Sequence, residues 1–311
     1  MFDSDNAQSY SSESSSSSSS DASASSYSQY SSSPPSGKGF VLSVGGSVFI
    51  GDKPLTDKIS EFCSAINSLS EFRFVIVVGG GKTCRNYNET AKSLGANNFE
   101  LDSLGIVSTR LNAKLFTYKI ERATKKVITS FEEIDEAIEE GRIPIMGGMA
   151  EGQTTDAVGA LMAEKLGFEF VNLSNVDGVY DKDPNVHDDA ILFKDISFDD
   201  MNFILREKLL IPGQHLFVDP QAASILSRSK IKSYFLNGNH LENFKNCLRG
   251  AEYKGTLVDD VVDVIEKEEV ESSFEKVDEV HELPMRKRII KRENHIEEDE
   301  EISPHDIDFG K

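Results

Sequence analysis

Short, nearly unbroken apolar runs recur through the middle of the chain, and each stops at a small or polar residue. Phe40-Val41-Leu42-Ser43-Val44 stops at Gly45-Gly46, Phe74-Val75-Ile76-Val77-Val78 at Gly79-Gly80-Gly81, and Ile143-Pro144-Ile145-Met146 at Gly147-Gly148. Phe170-Val171-Asn172-Leu173 runs into a polar turn, and Ser233-Tyr234-Phe235-Leu236 ends at Asn237-Gly238. Runs of this kind suit parallel strands covered on both faces. Between them apolar residues return at helical spacing, which predicts helices over about 56–69, 82–94, 104–120, 131–140, 155–166, 198–207, 220–228 and 240–248. Strands alternating with helices predict an α/β protein, an α/β/α sandwich with a mostly parallel central sheet.

The pattern is confined to residues 39–258, and the charge distribution sharpens that boundary. Nineteen of the first 36 residues are serine, and residues 1–38 carry four acids against one base. Residues 259–311 carry 19 acids against 8 bases, so of the net charge of −20 only −6 falls on the 220-residue middle. Neither end holds enough apolar surface to offset the entropy of ordering it. The expected organisation is therefore a Ser-rich disordered tail (1–38), one folded domain (39–258) and an acidic, mostly disordered tail (259–311). Within the latter, a highly charged helix over Val261 to Val280 and a basic cluster from Arg286 to Arg292 stand out.

A pI near 4.7 argues against a general nucleic-acid binder, which must neutralise phosphates. No run of about 18 apolar residues exists to span a membrane, and the N-terminus lacks the basic and apolar regions of a secretory signal. Cys63, Cys84 and Cys247 are odd in number and far apart, which fits neither a zinc site nor a disulfide framework and suggests a reducing, cytoplasmic setting.

The candidate chemistry lies at the strand ends. Glycine there lets backbone N–H groups reach phosphate oxygens, and a helix N-terminus adds a favourable dipole. In open parallel sheets, ligands bind beyond the carboxyl ends of the strands. Two common loops fail: a P-loop ending at Gly81-Lys82-Thr83 would need glycine at Ile76, and a dinucleotide fingerprint from Gly79 would need glycine at Cys84. Gly152-Gln153-Thr154-Thr155-Asp156 opens a helix that threonine or aspartate can cap. The threonine hydroxyls beside free helix N–H groups also offer a seat for a phosphate. Asp156 disfavours an anion directly and suits a metal ion or the orientation of cationic and glycine groups. Ser174 to Pro184 is rich in turn formers, with Tyr180 offering a face to a flat base and Asp183 an acceptor for a ribose hydroxyl.

Together, Ser43-Val44-Gly45-Gly46-Ser47, Val77-Val78-Gly79-Gly80-Gly81-Lys82 with Arg85, Gly152 to Asp156, and Asn175-Val176-Asp177-Gly178-Val179-Tyr180 resemble the amino-acid-kinase superfamily, most closely its archaeal-type uridylate kinases. The likeness runs through Val218-Asp219-Pro220 to Gly255-Thr256-Leu257-Val258. It implies an ATP:UMP phosphotransferase of pyrimidine nucleotide biosynthesis, using ATP and Mg²⁺, whose first half binds UMP and whose second half binds ATP. By resemblance, Gly80, Asp102 and the loop Met149, Ala150, Glu151, Gly152, Gln153, Thr154 and Thr155 would meet UMP. Gly45, Gly46, Ser47, Gly81, Arg85, Ser174, Tyr180 and Asp183 would meet ATP, with Asp156, Gly45 and Gly46 at the transfer centre and no residue assigned as a metal ligand. A homohexamer is implied, with neither nucleic acid nor membrane as partner. Three positions depart from the pattern: Ser43 stands where many members have lysine, and Met149 and Glu151 where threonine and proline are typical. These departures keep open another phosphoryl acceptor or a non-catalytic nucleotide-binding homologue. Lys82 is the nearest cation in sequence.

Overall fold

The computed structural model describes residues 37–209 and 216–260. The Ser-rich segment up to residue 36, the helix expected over Val261 to Val280 and the basic cluster from Arg286 to Arg292 lie outside the described residues. The first half of the fold is β1 (Gly39–Val44), the single turn α1 (Gly46–Phe49), α2 (Thr56–Ser68), β2 (Arg73–Val78), α3 (Gly81–Ser93), α4 (Asn98–Phe116), α5 (Glu132–Glu139) and β3 (Ile145–Met146). The second half is α6 (Thr155–Leu166), β4 (Glu169–Ser174), β5 (Asp195–Ile196), α7 (Phe198–Leu209), α8 (Pro220–Arg228), β6 (Ser233–Asn237), α9 (Leu241–Leu248) and β7 (Thr256–Val258).

The strands form one sheet in the order β3-β2-β1-β4-β6-β7-β5, parallel except where β7 runs antiparallel to β6. Successive strands of the first half step outward from β1 on one side, and β4 and β6 step outward on the other. The reversal between β1 and β4 is the topological switch point, where an open α/β sheet binds its ligand. Apolar residues along each strand divide by parity between two cores. Val41, Val75, Val77 and Phe170 face α6 and α8, whereas Phe40, Leu42, Val44, Phe74, Ile76, Val78, Val171 and Leu173 share a core with Phe62 of α2, Phe116 of α4 and Phe244 of α9. Two buried faces explain why these strands show no polar alternation.

Three expectations need correcting. The helix expected over 104–120 runs from Asn98 to Phe116, because Asn97 and Glu100 form a reciprocal capping box that starts it earlier than its apolar stripe. The expected strand at 143–146 is reduced to Ile145 and Met146, with Ile143 making an isolated bridge to Ala123; Pro144 has no N–H to give, although its carbonyl accepts Ile76 N–H at 2.9 Å. Finally α1, β5 and β7 went unforeseen, each too short to carry a periodic signal. No helix among the described residues is long and apolar enough to cross a membrane.

Candidate active site

β1 and β4 pair in a register that sets Ser43 directly beside Asn172. Both are polar residues in otherwise apolar strands, only 2% and 6% exposed, and their parity turns them toward α6. There they meet Asp156, in the first turn of α6: Ser43 Oγ donates to Asp156 Oδ1 at 2.5 Å and Asn172 Nδ2 donates to the same oxygen at 3.0 Å. The backbone amide of Asp219 favours the charged form of Asp156. Thr154, not Asp156, caps α6, its Oγ1 accepting the Ala157 N–H at 3.1 Å. The choice that the sequence leaves between threonine and aspartate is thereby resolved, and Asp156 is released from a capping role. Burial raises its carboxyl above the usual range, and the nearby charge of Asp219 adds to this; Ser43, the Asp219 amide and Asn172 oppose the rise.

The glycine turns sit at the same edge of the sheet. Gly45 N–H donates to Leu173 O at 2.8 Å and Gly79 N–H to Val44 O at 2.9 Å, so each turn is hooked to the end of the neighbouring strand. The two turns touch backbone to backbone: a methyl group on Gly46 would lie 2.1 Å from the nitrogen of Gly81, and Gly81 itself has φ +57°. Only glycine permits this approach. It concentrates backbone N–H groups of two helix starts at one place, the arrangement that suits phosphate oxygens. Ser47 and Arg85 are exposed beside the turns. Lys82 pairs with Asp52 at the surface.

One side of the site is organised by α4. Asn112 Nδ2 donates to the carbonyls of Gly79 and Gly80, at 3.1 and 2.9 Å. Thr109 Oγ1 accepts Gly148 N–H at 2.7 Å, and Arg110 Nε donates to Gly148 O at 3.1 Å. Farther along, Asp102 Oδ2 accepts Gly152 N–H at 2.9 Å, and Ser103 Oγ donates to Glu151 at 2.6 Å. The structure thus gathers Gly80, Asp102 and the segment Met149 to Thr155. Glu151 is turned onto α4, where the Ser103 hydrogen bond holds its carboxyl below the usual range.

The other side is the loop after β4. Ser174 Oγ accepts Val176 N–H at 3.3 Å. Tyr180 is half-buried and anchored by a bridge to Leu192, and its hydroxyl donates to Asp177 at 3.4 Å. Asp177 also accepts from Asn237 Nδ2 at 2.9 Å and pairs with Lys254 at 2.7 Å. Burial pushes its carboxyl up, but Lys254 and Asn237 outweigh it and leave it low. Asp183 Oδ1 accepts Asn185 N–H at 2.9 Å.

Sequence reasoning missed Asn172, Thr109, Arg110 and Asn112. A single polar residue in an apolar strand was the available signal for Asn172, and it matched Ser43 one strand away. The α4 residues carry no such mark, since their partners are backbone groups 32 to 39 residues distant.

Comparison with known proteins agrees with this architecture. The model of the amino acid kinase family matches residues 38–237. A uridylate kinase of Haloarcula marismortui is 39% identical over 222 residues, covering 70% of this chain and 97% of that protein. One from Pyrococcus abyssi is 40% identical over 222 residues, covering 70% and 98%. The crystal structure of uridylate kinase from Archaeoglobus fulgidus superposes with a TM-score of 0.64 at 38% identity, covering 70% of this chain and 99% of that one. A sheet that reverses order between β1 and β4, two glycine turns locked together at the reversal, and relatives matched over nearly their whole length lead to one assignment: this chain belongs to the amino acid kinase family.

Proposed function

We propose that this protein transfers the γ-phosphoryl group of ATP to UMP, giving UDP and ADP. The observation that carries the reading is the pair of interlocked glycine turns with Asp156 beside them, in a chain whose relatives along nearly their full length are uridylate kinases. Phosphoryl transfer asks little covalent chemistry of a protein; it needs two substrates held in line and donors around the equatorial oxygens. Backbone N–H groups at Gly46, Ser47, Gly80 and Gly81 supply such donors already oriented, while those of Gly45 and Gly79 hook the turns to the sheet. An oxygen of the UMP phosphate, ionised at neutral pH, is the nucleophile, so no general base is required. Gly80, Asp102 and Met149 to Thr155 form the acceptor side; Ser174, Tyr180 and Asp183, with Gly81 and Arg85, form the ATP side.

Mg²⁺ fits this site in its usual manner, through one or two carboxylates and the phosphates it accompanies. Asp156 and Asp219 would hold it, and no cluster of three or more His, Cys, Asp or Glu among the described residues offers a complete protein cage. When bound, the ion neutralises phosphate charge. The free thiols of Cys63, Cys84 and Cys247 suit a reducing compartment such as the cytoplasm.

Self-association belongs to the same reading. Among the described residues, six of the nine exposed large apolar side chains (Tyr87, Leu94, Phe99, Val107, Leu111 and Tyr118) lie on or beside α3 and α4, and α3 buries none of its own residues. A patch of this kind marks an interaction surface. Isologous contact between two copies, repeated through a three-fold axis, yields a homohexamer.

An assay of ADP release with UMP, CMP, carbamate, acetylglutamate and aspartate decides the acceptor. UMP is expected to be turned over best. Turnover of another acceptor without UMP would change the substrate, and ATP binding without any transfer would remove the activity.

A further inference from the structure

A lysine occupies a core position of α7. Met201, Ile204 and Leu205 are buried at helical spacing, and Lys208 continues the stripe, only 7% exposed. An ammonium group is costly to bury without a compensating anion. The charges it feels belong to Asp181 and Asp183, in the loop after β4. Asp181 Oδ1 also accepts the N–H groups of Lys182 and Ile191, and Asp183 Oδ1 accepts that of Asn185. Topology places this end of α7 at the active edge. β5 runs away from that edge, parallel to β7 and opposite to β6, so α7 returns toward it.

Three lysines near the turns and this loop are committed elsewhere. Lys182 pairs with Asp189, Lys254 with Asp177 and Lys82 with Asp52. The strand position that holds lysine in many members of the family is Ser43, whose hydroxyl is spent on Asp156. Arg85 is exposed beside the glycine turns, and a polyphosphate that passes Asp181 and Asp183 calls for a second cation, which none of these lysines supplies. We propose that Lys208 is that cation: a nucleotide-binding residue whose ammonium meets the phosphates of the adenosine nucleotide held by the Ser174–Asp183 loop. The inference rests on the ATP side assigned above and adds a residue that no sequence motif marks.

The test compares binding of ATP, ADP and adenosine, with Mg²⁺ present, to the full-length protein and to its Lys208→Gln and Lys208→Arg variants, with melting temperatures alongside. Lys208→Gln is expected to weaken ATP and ADP by about tenfold or more, the usual cost of a charge-assisted contact, while adenosine binding stays unchanged. Lys208→Arg retains most of the affinity, and the KM for ATP moves without the KM for UMP. Equal weakening of adenosine and ATP would overturn the proposal, making Lys208 a prop for the loop, and unchanged binding of all three would overturn it equally. Should Lys208→Gln not fold, amine acylation of the unsubstituted protein read by mass spectrometry replaces it. Protection of Lys208 by ATP but not by adenosine supports the contact, and no difference between them refutes it. Binding is read without turnover, so failure of UMP as acceptor would leave this result standing.

Discussion

Asp156 brings function and stability into conflict at one side chain. Its carboxyl is raised chiefly by burial, with Asp219 adding to the rise. A group whose folded pKa is raised stabilises the protein below its unfolded pKa, about 3.9 for aspartate, and loses that contribution as pH climbs through the raised value. Asparagine at this position still accepts from Ser43 and Asn172 through Oδ1 but never has to bury a charge. Asp156→Asn is therefore expected to melt higher than the parent at about pH 8, with the gap closing toward about pH 4. Turnover should fall by about 10²-fold or more, the scale of losing one preorganised charged contact. Thermal melts across this pH range and kcat measured beside them check both halves. A lowered melting point with near-normal kcat would return Asp156 to a purely structural role.

Among the elements, α4 does the most to shape the acceptor side. Its capping box fixes where it starts, and its inward side chains reach two separate turns: Asn112 the glycines after β2, Thr109 and Arg110 the glycines after β3. Thr109→Val keeps the shape but strands the Gly148 N–H, a loss of about 1–3 kcal/mol for a buried unsatisfied donor. The expected result is a lower melting temperature and a raised KM for UMP, with the KM for ATP unchanged. Steady-state kinetics with each substrate varied in turn reads this directly, and a matching rise in the KM for ATP would contradict the division of labour. The same helix presents Val107 and Leu111 outward, so a second copy packed there would stiffen the element that holds the acceptor loop.

At the scale of the whole chain, the folded unit closes on itself at both ends of the described segment. Gly37 O accepts Arg73 Nε at 2.9 Å and Lys38 pairs with Glu169, while Asp259 and Asp260 pair with Lys232 and Lys230. The sheet, both cores and every candidate site residue lie inside these limits. A chain trimmed to residues 37–260 is therefore expected to match the full-length protein in kcat, in both KM values and in the number of subunits read from light scattering. Loss of activity in a trimmed chain that still melts cooperatively would assign the flanking segments a part in the reaction.

Much of this protein was determined by sequence alone, because its strongest signals are local. Apolar runs closed by glycine placed β1 and β2, and one closed by a polar turn placed β4, since a strand buried on both faces needs no partner to announce itself. The start of α6 was legible as a cap, threonine or aspartate, because a cap acts within three or four positions of itself; that Thr154 fills the role was left to the structure. The glycine turns implied an anion site because the approach they permit is a property of glycine. What only the tertiary structure decided is which distant groups meet. Ser43 and Asn172 are 129 residues apart, adjacent only through the β1–β4 register, and they converge on Asp156 only because α6 covers that face. Glu151 reads as an intruding charge in sequence, and becomes a tether once Ser103 of α4 stands 2.6 Å away. Lys208 carries no mark in the sequence, and proves buried because α7 turns that stripe into the core. Local stereochemistry is written in neighbouring residues; hydrogen bonds and charge burial across the sheet depend on packing, which no short stretch of chain contains.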